Sequence, residues 1–331
     1  MRVAINGFGR IGRHALKAGW EKKGMEIVAI NDLTDTKTLA HLLKYDTAYP
    51  DFAHKVTSDE KHIIVDGKKV RAFAEKEPSK LPWKELKIDV VIESTGRFTD
   101  KEGASQHLLA GAKRVIISAP GKGEGIATYL RGVNCGLYKK EDIVIDNASC
   151  TTNSAGPIMR VLEQEFGVEK AMLSTIHSYT ADQNLQDGPH KDLRRARAAA
   201  QNIVPTTTGA AVAVARVTTS LQNKFDGLSF RVPTLTVSLT DLTVLLKRNV
   251  TKEEVNIALT TAAKTYLKGI LSVTNEELVS SDFIGNPYSA IVDLPLTTVV
   301  DGNLLKVVAW YDNEWGYANR LVEMVGIVGK K

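Results

Sequence analysis

One cysteine, Cys150, stands in the stretch IDNASCTTNSAGP (residues 145–157), and the chain has only one other, Cys135. An apolar run precedes it. After it, apolar residues recur at Ile158, Val161, Leu162 and Phe166 with helical spacing. Ser149 or Thr151 can cap such a helix. A thiol in a first helical turn feels the positive end of the dipole, which lowers its pKa and raises its thiolate fraction. Free cysteines are more often small buried hydrophobes, but those have apolar neighbours. Ser-Cys-Thr-Thr-Asn instead surrounds the sulfur with donors suited to an oxyanion, so the pattern reads as a nucleophile. A nucleophilic thiol needs a base. Among seven histidines, His54, His62 and His107 lie among charged residues, which predicts surface positions. His177 closes a strand-like run in LSTIHSYTADQ. Alone it would read as a strand-end histidine; beside a nucleophile it is the candidate base.

A second constellation opens the chain. INGFGRIGR places Gly7, Gly9 and Gly12 in G-x-G-x-x-G spacing, after the strand-like RVAI and before a helical pattern from Arg10 to about Lys22. In that context the glycines form a dinucleotide fingerprint: a tight turn, a close backbone approach to pyrophosphate, and close helix–strand packing. The helix start supplies free amides to the phosphates. Asp32 ends the second strand, twenty residues after Gly12, where a carboxylate binds the adenine ribose. It would repel a 2′-phosphate, which favours NAD over NADP.

These residues need a frame. The 331 residues, 43% hydrophobic and 24% charged, predict a globular chain of two domains. Two cysteines provide neither a disulfide framework nor a zinc site, and they fit a reducing, cytoplasmic compartment. No signal peptide or membrane span is read. The net charge of +5 suits anionic ligands but is weak evidence for them. Continuous β-branched runs at residues 26–32, 89–95, 113–118 and 142–149 predict a parallel sheet covered on both faces. Asp66-Gly67 between apolar runs predicts a hairpin. After residue 149 long strand candidates follow one another, at residues 171–178, 228–234, 237–248, 289–295 and 303–313. Alternation in the third predicts an antiparallel sheet. Thr251 and Glu254 have capping-box spacing. The expected architecture is α/β: a doubly wound Rossmann domain over residues 1–149, then a mixed α+β catalytic domain over 150–313. A last helix, about 314–331, is expected to pack back on the first domain.

The segments NGFGRIGR, ASCTTN, HSYTADQ, DLRRARAAAQNIVPTTTGAA, FRVPT and WYDNEWGYANR together resemble phosphorylating glyceraldehyde-3-phosphate dehydrogenases, in order from about residue 1 to 325. The resemblance implies oxidation of glyceraldehyde 3-phosphate through a Cys150 thioester, with His177 as base, NAD as acceptor and inorganic phosphate as second nucleophile. It implies cofactor contacts at Gly7, Gly9, Arg10, Ile11, Asp32, Lys76, Ser118, Asn313 and Tyr317. It implies a site for the attacking phosphate at Ser149, Thr151, Thr208 and Gly209. The substrate's own phosphate falls to Thr180, Arg194 and Arg231, with Arg197 structural. No metal is implied, and a homotetramer is.

Some positions depart from the family pattern. Ser154 replaces a frequent second cysteine, Ala181 a frequent Asn, and PTLTVSLTD the usual PTPNVSVVD. Lys76 stands where Arg often touches adenine and loses the planar stack. Leu33 after Asp32, and Gly188-Pro189 where NADP-using relatives often carry Ser, again favour NAD. The nearest rival is erythrose-4-phosphate dehydrogenase, which typically lacks the Tyr179-Thr180 pair. A nucleic-acid-binding relic of the fold is the other rival. It has only the positive charge in its favour, because residues 190–201 carry arginines without the aromatics that stack bases.

Overall fold

The computed structural model describes residues 1–330. They form two compact units: residues 1–129, 134–148 and 318–330, and residues 130–133 with 149–317.

The first unit is built on a nine-stranded sheet: β1 (Arg2–Asn6), β2 (Glu26–Asn31), β3 (Val56–Asp59), β4 (His62–Val65), β5 (Lys68–Phe73), β6 (Val90–Glu93), β7 (Arg114–Ile117), β8 (Ala127–Thr128) and β9 (Val144–Asp146). Their order is β3-β4-β5-β2-β1-β6-β7-β9-β8. From β5 to β8 every pair is parallel, while β3, β4 and β5 form an antiparallel meander closed by the Asp66-Gly67 turn. The winding reverses between β1 and β6. At such a switch point the loops leave the sheet in opposite directions and open a crevice at the strand ends. The central strands β1, β2, β6, β7 and β9 are buried on both faces, as their apolar runs require. Helices α1 (Arg10–Gly19), α2 (Thr36–Lys44) and α3 (Lys101–Leu109) belong to this unit. Asp35 and Asp100 cap α2 and α3 through their side chains; α1 begins at Gly9 with no side-chain cap and no acid in its first turn.

His107 departs from expectation. It is fully buried on α3, not exposed. Trp83 Nε1 donates to its Nδ1 at 3.0 Å, so its Nε2 carries the proton that faces the Glu93 carboxylate at 3.0 Å. Asn6 Nδ2 and the Thr95 amide and hydroxyl complete the shell of Glu93. The carboxylate is sealed in by donors alone. Charged neighbours in the sequence suggested a surface, but they point away from a histidine that turns inward.

The second unit holds α4 (Cys150–Phe166), β10 (Val168–Ser178), β11 (Val204–Thr207), α5 (Ala210–Val217), β12 (Phe225–Val232), β13 (Ser238–Leu246), α6 (Lys252–Lys264), β14 (Leu271–Thr274), β15 (Ala290–Asp293), β16 (Thr298–Val300) and β17 (Leu304–Tyr311). Its sheet runs β11-β12-β10-β13-β17-β15-β14, with β16 beside β17. It is mixed: β10 lies antiparallel to β13 and parallel to β12. Strand β13 alternates buried and half-buried residues, as its sequence predicts. The core gathers Ile158, Leu162, Leu173, Leu242, Val292 and Val307 between sheet and helices. The capping box at Thr251 and Glu254 is formed. Helix α7 (Trp315–Val328) starts in this unit, and its residues from Ala318 on group with the first.

Candidate active site

In the second unit, Ser149 caps α4: its Oγ accepts the Thr152 amide at 3.1 Å. Cys150 is therefore the first helical residue. Its Sγ lies 3.4 Å from His177 Nε2, near the end of β10. His177 Nδ1 donates to the Ser178 carbonyl at 2.7 Å, which leaves the Nε2 lone pair facing the sulfur. Burial lowers the His177 pKa to about 4, and Arg231 adds to the shift. The expectation that the helix start lowers the thiol pKa is not met. Burial pushes the Cys150 thiol up, and the opposing pull of Arg231 and of the Thr151 donors does not reverse it. Desolvation of a thiolate in this pocket outweighs the dipole. Burial thus works against the charged form of both groups, and the imidazole lone pair faces the thiol.

Around this pair the second unit collects donors. Thr151 Oγ1 meets Tyr311 Oη at 2.8 Å, and Tyr311 Oη also meets Thr175 Oγ1 at 2.8 Å. The Tyr311 ring stands edge-on to His177 at 6.1 Å. Tyr311 was not singled out in the sequence, where nothing in WYDNEW marks the tyrosine as turned inward. Arg231 Nη1 donates to Thr180 Oγ1 at 2.7 Å and to the Ser178 carbonyl at 3.4 Å. Its buried Nε has no partner, a donor left over for an anion. Asp182 accepts from Thr180 Oγ1 and lies 3.9 Å from Arg231. The arginine that reaches this cluster is Arg195, not Arg194. Arg195 bonds Asp182 at 2.7 Å and Thr206 at 2.9 Å, whereas Arg194 is exposed. Adjacent arginines in one run cannot be told apart by type; only the turn at Asp192, which accepts both their amides, decides which side chain points in. Arg197 pairs with Asp187 at the surface. Thr208 and Gly209 precede α5, with Gly209 as its N-cap and Thr208 Oγ1 accepting the Ala210 amide. Asn313 is buried, and its Oδ1 accepts from Ser238 Oγ at 2.8 Å. Tyr317 is buried in the first turn of α7. Val237, just before β13, has φ +69°; for a β-branched residue that is strained backbone, costing on the order of 1–3 kcal/mol.

In the first unit, a groove of about 300 Å³ opens at the switch point, lined by Gly7, Gly9, Asp32, Lys76 and Thr95 among others. Gly7 has φ +90°, and a Cβ there would lie 2.6 Å from the Thr95 nitrogen. A Cβ on Gly12 would overlap the Gly7 carbonyl oxygen. Gly9 faces open space. Asp32 is held by the Phe8 amide at 2.8 Å and the Thr34 amide at 3.1 Å. The uncapped start of α1, with Arg10 and Ile11, offers backbone amides to a pyrophosphate, while the Arg10 guanidinium grips Asp46. Ser118 follows β7, its amide on the Glu93 carbonyl. These residues fit a dinucleotide: open space at Gly9, a helix start with no side-chain cap and a fixed carboxylate. Among the described residues no group of side chains is arranged to hold a metal ion, and no helix is long and apolar enough to cross a membrane.

Comparison with known proteins agrees with both halves. Residues 1–101 match the glyceraldehyde 3-phosphate dehydrogenase NAD binding domain, and residues 149–313 the C-terminal domain of the same enzyme. The chain is similar to glyceraldehyde-3-phosphate dehydrogenase of Thermotoga maritima, 56% identical with 99% of each chain covered. It is 51% identical to that of Geobacillus stearothermophilus, over 100% of this chain and 99% of the other. It is also 51% identical to the chloroplastic A form of Chlamydomonas reinhardtii, over 100% of this chain and 89% of the other. With a Rossmann fingerprint at the switch point, a thiol–imidazole pair at the head of α4 and this likeness along the whole length, the chain belongs to the glyceraldehyde-3-phosphate dehydrogenase family.

Proposed function

We propose that this chain oxidises D-glyceraldehyde 3-phosphate to 1,3-bisphosphoglycerate with NAD and inorganic phosphate. The observation that carries this reading is the Cys150–His177 pair, 3.4 Å apart, with the imidazole tautomer fixed by Ser178. His177 Nε2 takes the thiol proton as Sγ attacks the aldehyde carbon. A thiolate needed only at that moment suits a pocket whose burial works against the charged form of both groups. The Cys150 amide, free at the start of α4, faces the developing alkoxide. His177 returns that proton to the alkoxide to give the hemithioacetal, then takes it again as hydride leaves the carbon for the bound acceptor, which leaves a thioester on Cys150. NAD, when bound, would supply the hydride acceptor; the residues the family likeness assigns to it are Gly7, Gly9, Arg10, Ile11, Asp32, Lys76, Ser118, Asn313 and Tyr317. Ser149, Thr151, Thr208 and Gly209 hold the attacking phosphate, and Thr180, Arg231 and Arg195 the substrate's own. Arg forks suit the substrate's phosphate.

The named relatives support glyceraldehyde 3-phosphate over erythrose 4-phosphate. The family likeness also supports a homotetramer working in the cytoplasm, without a nucleic-acid partner. The test is NAD reduction with and without phosphate, beside Cys150→Ser. Phosphate-dependent turnover that vanishes in the variant is expected, with a single burst when phosphate is withheld. Equal turnover without phosphate would mean hydrolysis and remove the attacking-phosphate site.

A further inference from the structure

We propose that the strained Val237–Ser238 corner is a positioning element that sets the His177 imidazole and the Asn313 amide together. Four hydrogen bonds meet there. Ser238 Oγ accepts the Ser178 amide at 3.1 Å and donates its one proton to Asn313 Oδ1 at 2.8 Å. Ser178 Oγ donates to the Val237 carbonyl at 2.8 Å, so the Thr234 hydroxyl, also 2.8 Å away, must donate to Ser178. Ser178 is fully buried, and every polar atom it has is engaged. Its amide and hydroxyl are both tied to the corner, and its carbonyl is the acceptor that fixes His177 Nδ1. The corner thus aims the carbonyl that selects the imidazole tautomer. By the same serine it fixes which way Asn313 turns, leaving Nδ2 to donate elsewhere.

The left-handed backbone is what makes this possible. At φ +69° the Val237 carbonyl faces Ser178 while Ser238 enters β13 with its hydroxyl turned to both partners. The Val237 side chain is locked against Phe283 and Ile291. A β-branched residue kept in this conformation with no glycine substituted is strain the surrounding packing must over-determine, as occurs where geometry serves function. Ser178 and Ser238 touch no reacting atom; they act through His177 and Asn313.

The proposal rests on His177 as base and Asn313 as the nicotinamide contact, and its test separates the three. Two quantities are measured on full-length enzyme: the rate of Cys150 alkylation by iodoacetamide at pH 7, with the label located by peptide mass, and the ratio of NAD to ADP-ribose affinity. The second isolates the nicotinamide end. Ser238→Ala is expected to slow alkylation and to lower the ratio, each by roughly tenfold, the scale on which small misplacements act. Ser238→Thr, which keeps the hydroxyl, should restore both. If Ser238→Ala does not fold, Ser178→Ala cuts the chain from the other side by removing the hydroxyl's bonds to Val237 and Thr234 while leaving the Ser178 amide on Ser238. Wild-type values for both quantities would overturn the proposal. A change in only one would overturn the shared anchor. His177→Asn is run alongside. If it leaves alkylation unchanged, the base assignment fails, and the affinity ratio still decides whether the corner sets Asn313.

Discussion

Replacing Arg231 by Leu should separate recognition of the substrate's phosphate from the chemistry at sulfur. The guanidinium is largely buried. It donates to Thr180 and to the Ser178 carbonyl, and it keeps Nε unpaired. A charge-assisted bond is worth about 1.5–3 kcal/mol, and each 1.36 kcal/mol is about tenfold in rate. One or two such bonds to a phosphate therefore predict a fall in kcat/KM for glyceraldehyde 3-phosphate of about tenfold for one weak bond to more than a hundredfold for two. Arg231 has a second effect of known sign. After burial it is the next cause acting on both Cys150 and His177, and it lowers both pKa values. Without it both rise, so the thiolate fraction at a fixed pH falls and the activity curve moves to higher pH. The assay is steady-state NAD reduction from pH 7 to 9 with glyceraldehyde 3-phosphate and with unphosphorylated glyceraldehyde. The loss on glyceraldehyde should stay well below the loss on the phosphorylated sugar at every pH, because only the latter has a phosphate for the missing fork to bind. Equal loss on both sugars at every pH would refute the reasoning and make Arg231 a support of the pair alone.

Gly12→Ala would drive a Cβ into the Gly7 carbonyl; overpacking of this kind costs about 1–3 kcal/mol, so both the melting temperature and NAD affinity should fall in one titration series. Asp32→Asn, which removes the charge and keeps one acceptor oxygen for the two amides of Phe8 and Thr34, should raise the NADP-to-NAD ratio of kcat/KM by at least about tenfold. His177 gives a pH signature: its folded pKa of about 4 lies below its ordinary 6.5. The unfolded chain therefore binds the extra proton first, and stability falls as pH drops from 6.5 towards 4. That loss, up to about 3 kcal/mol by linkage, should be missing from urea titrations of His177→Asn, and an unchanged slope would mean another group titrates there.

The sequence was most informative where a local pattern carries the whole reason. Gly7, Gly9 and Gly12 are legible because a tight turn and a close helix contact can each be met by few residue types. Cys150 is legible because its polar neighbours contradict a structural thiol. The parallel sheet followed from uninterrupted β-branched runs, and α6 from its capping box. Elements without such marks were missed. Helices α2 and α3 are short and flanked by charge, and β11, β14 and β16 are three or four residues long. The first helix also ends at Gly19, three residues earlier than its apolar pattern suggested. The side chains that depend on long-range pairing were illegible for a different reason. Arg195, Tyr311 and Ser238 owe their direction to partners 11 to 160 residues away, and no window of sequence contains both ends. The thiol failed the sequence argument because helix start and burial act with opposite sign, and only the fold decides which is larger.

Trp83, Glu93 and His107 illustrate how such pairing constrains the history of a chain. The indole needs an acceptor, the carboxylate needs donors, and the imidazole supplies one of each to the two neighbours. Any single replacement strands a polar atom in a fully buried space, so a drifting lineage meets a valley on every one-step path. A path that changes two of the three at once is the way across. Thr95 and Asn6, which close the same shell and line the nucleotide groove, inherit that rigidity without taking part in the bargain. The floor of the groove should therefore tolerate less variation than Leu33, Lys76 and Arg97, which also line it.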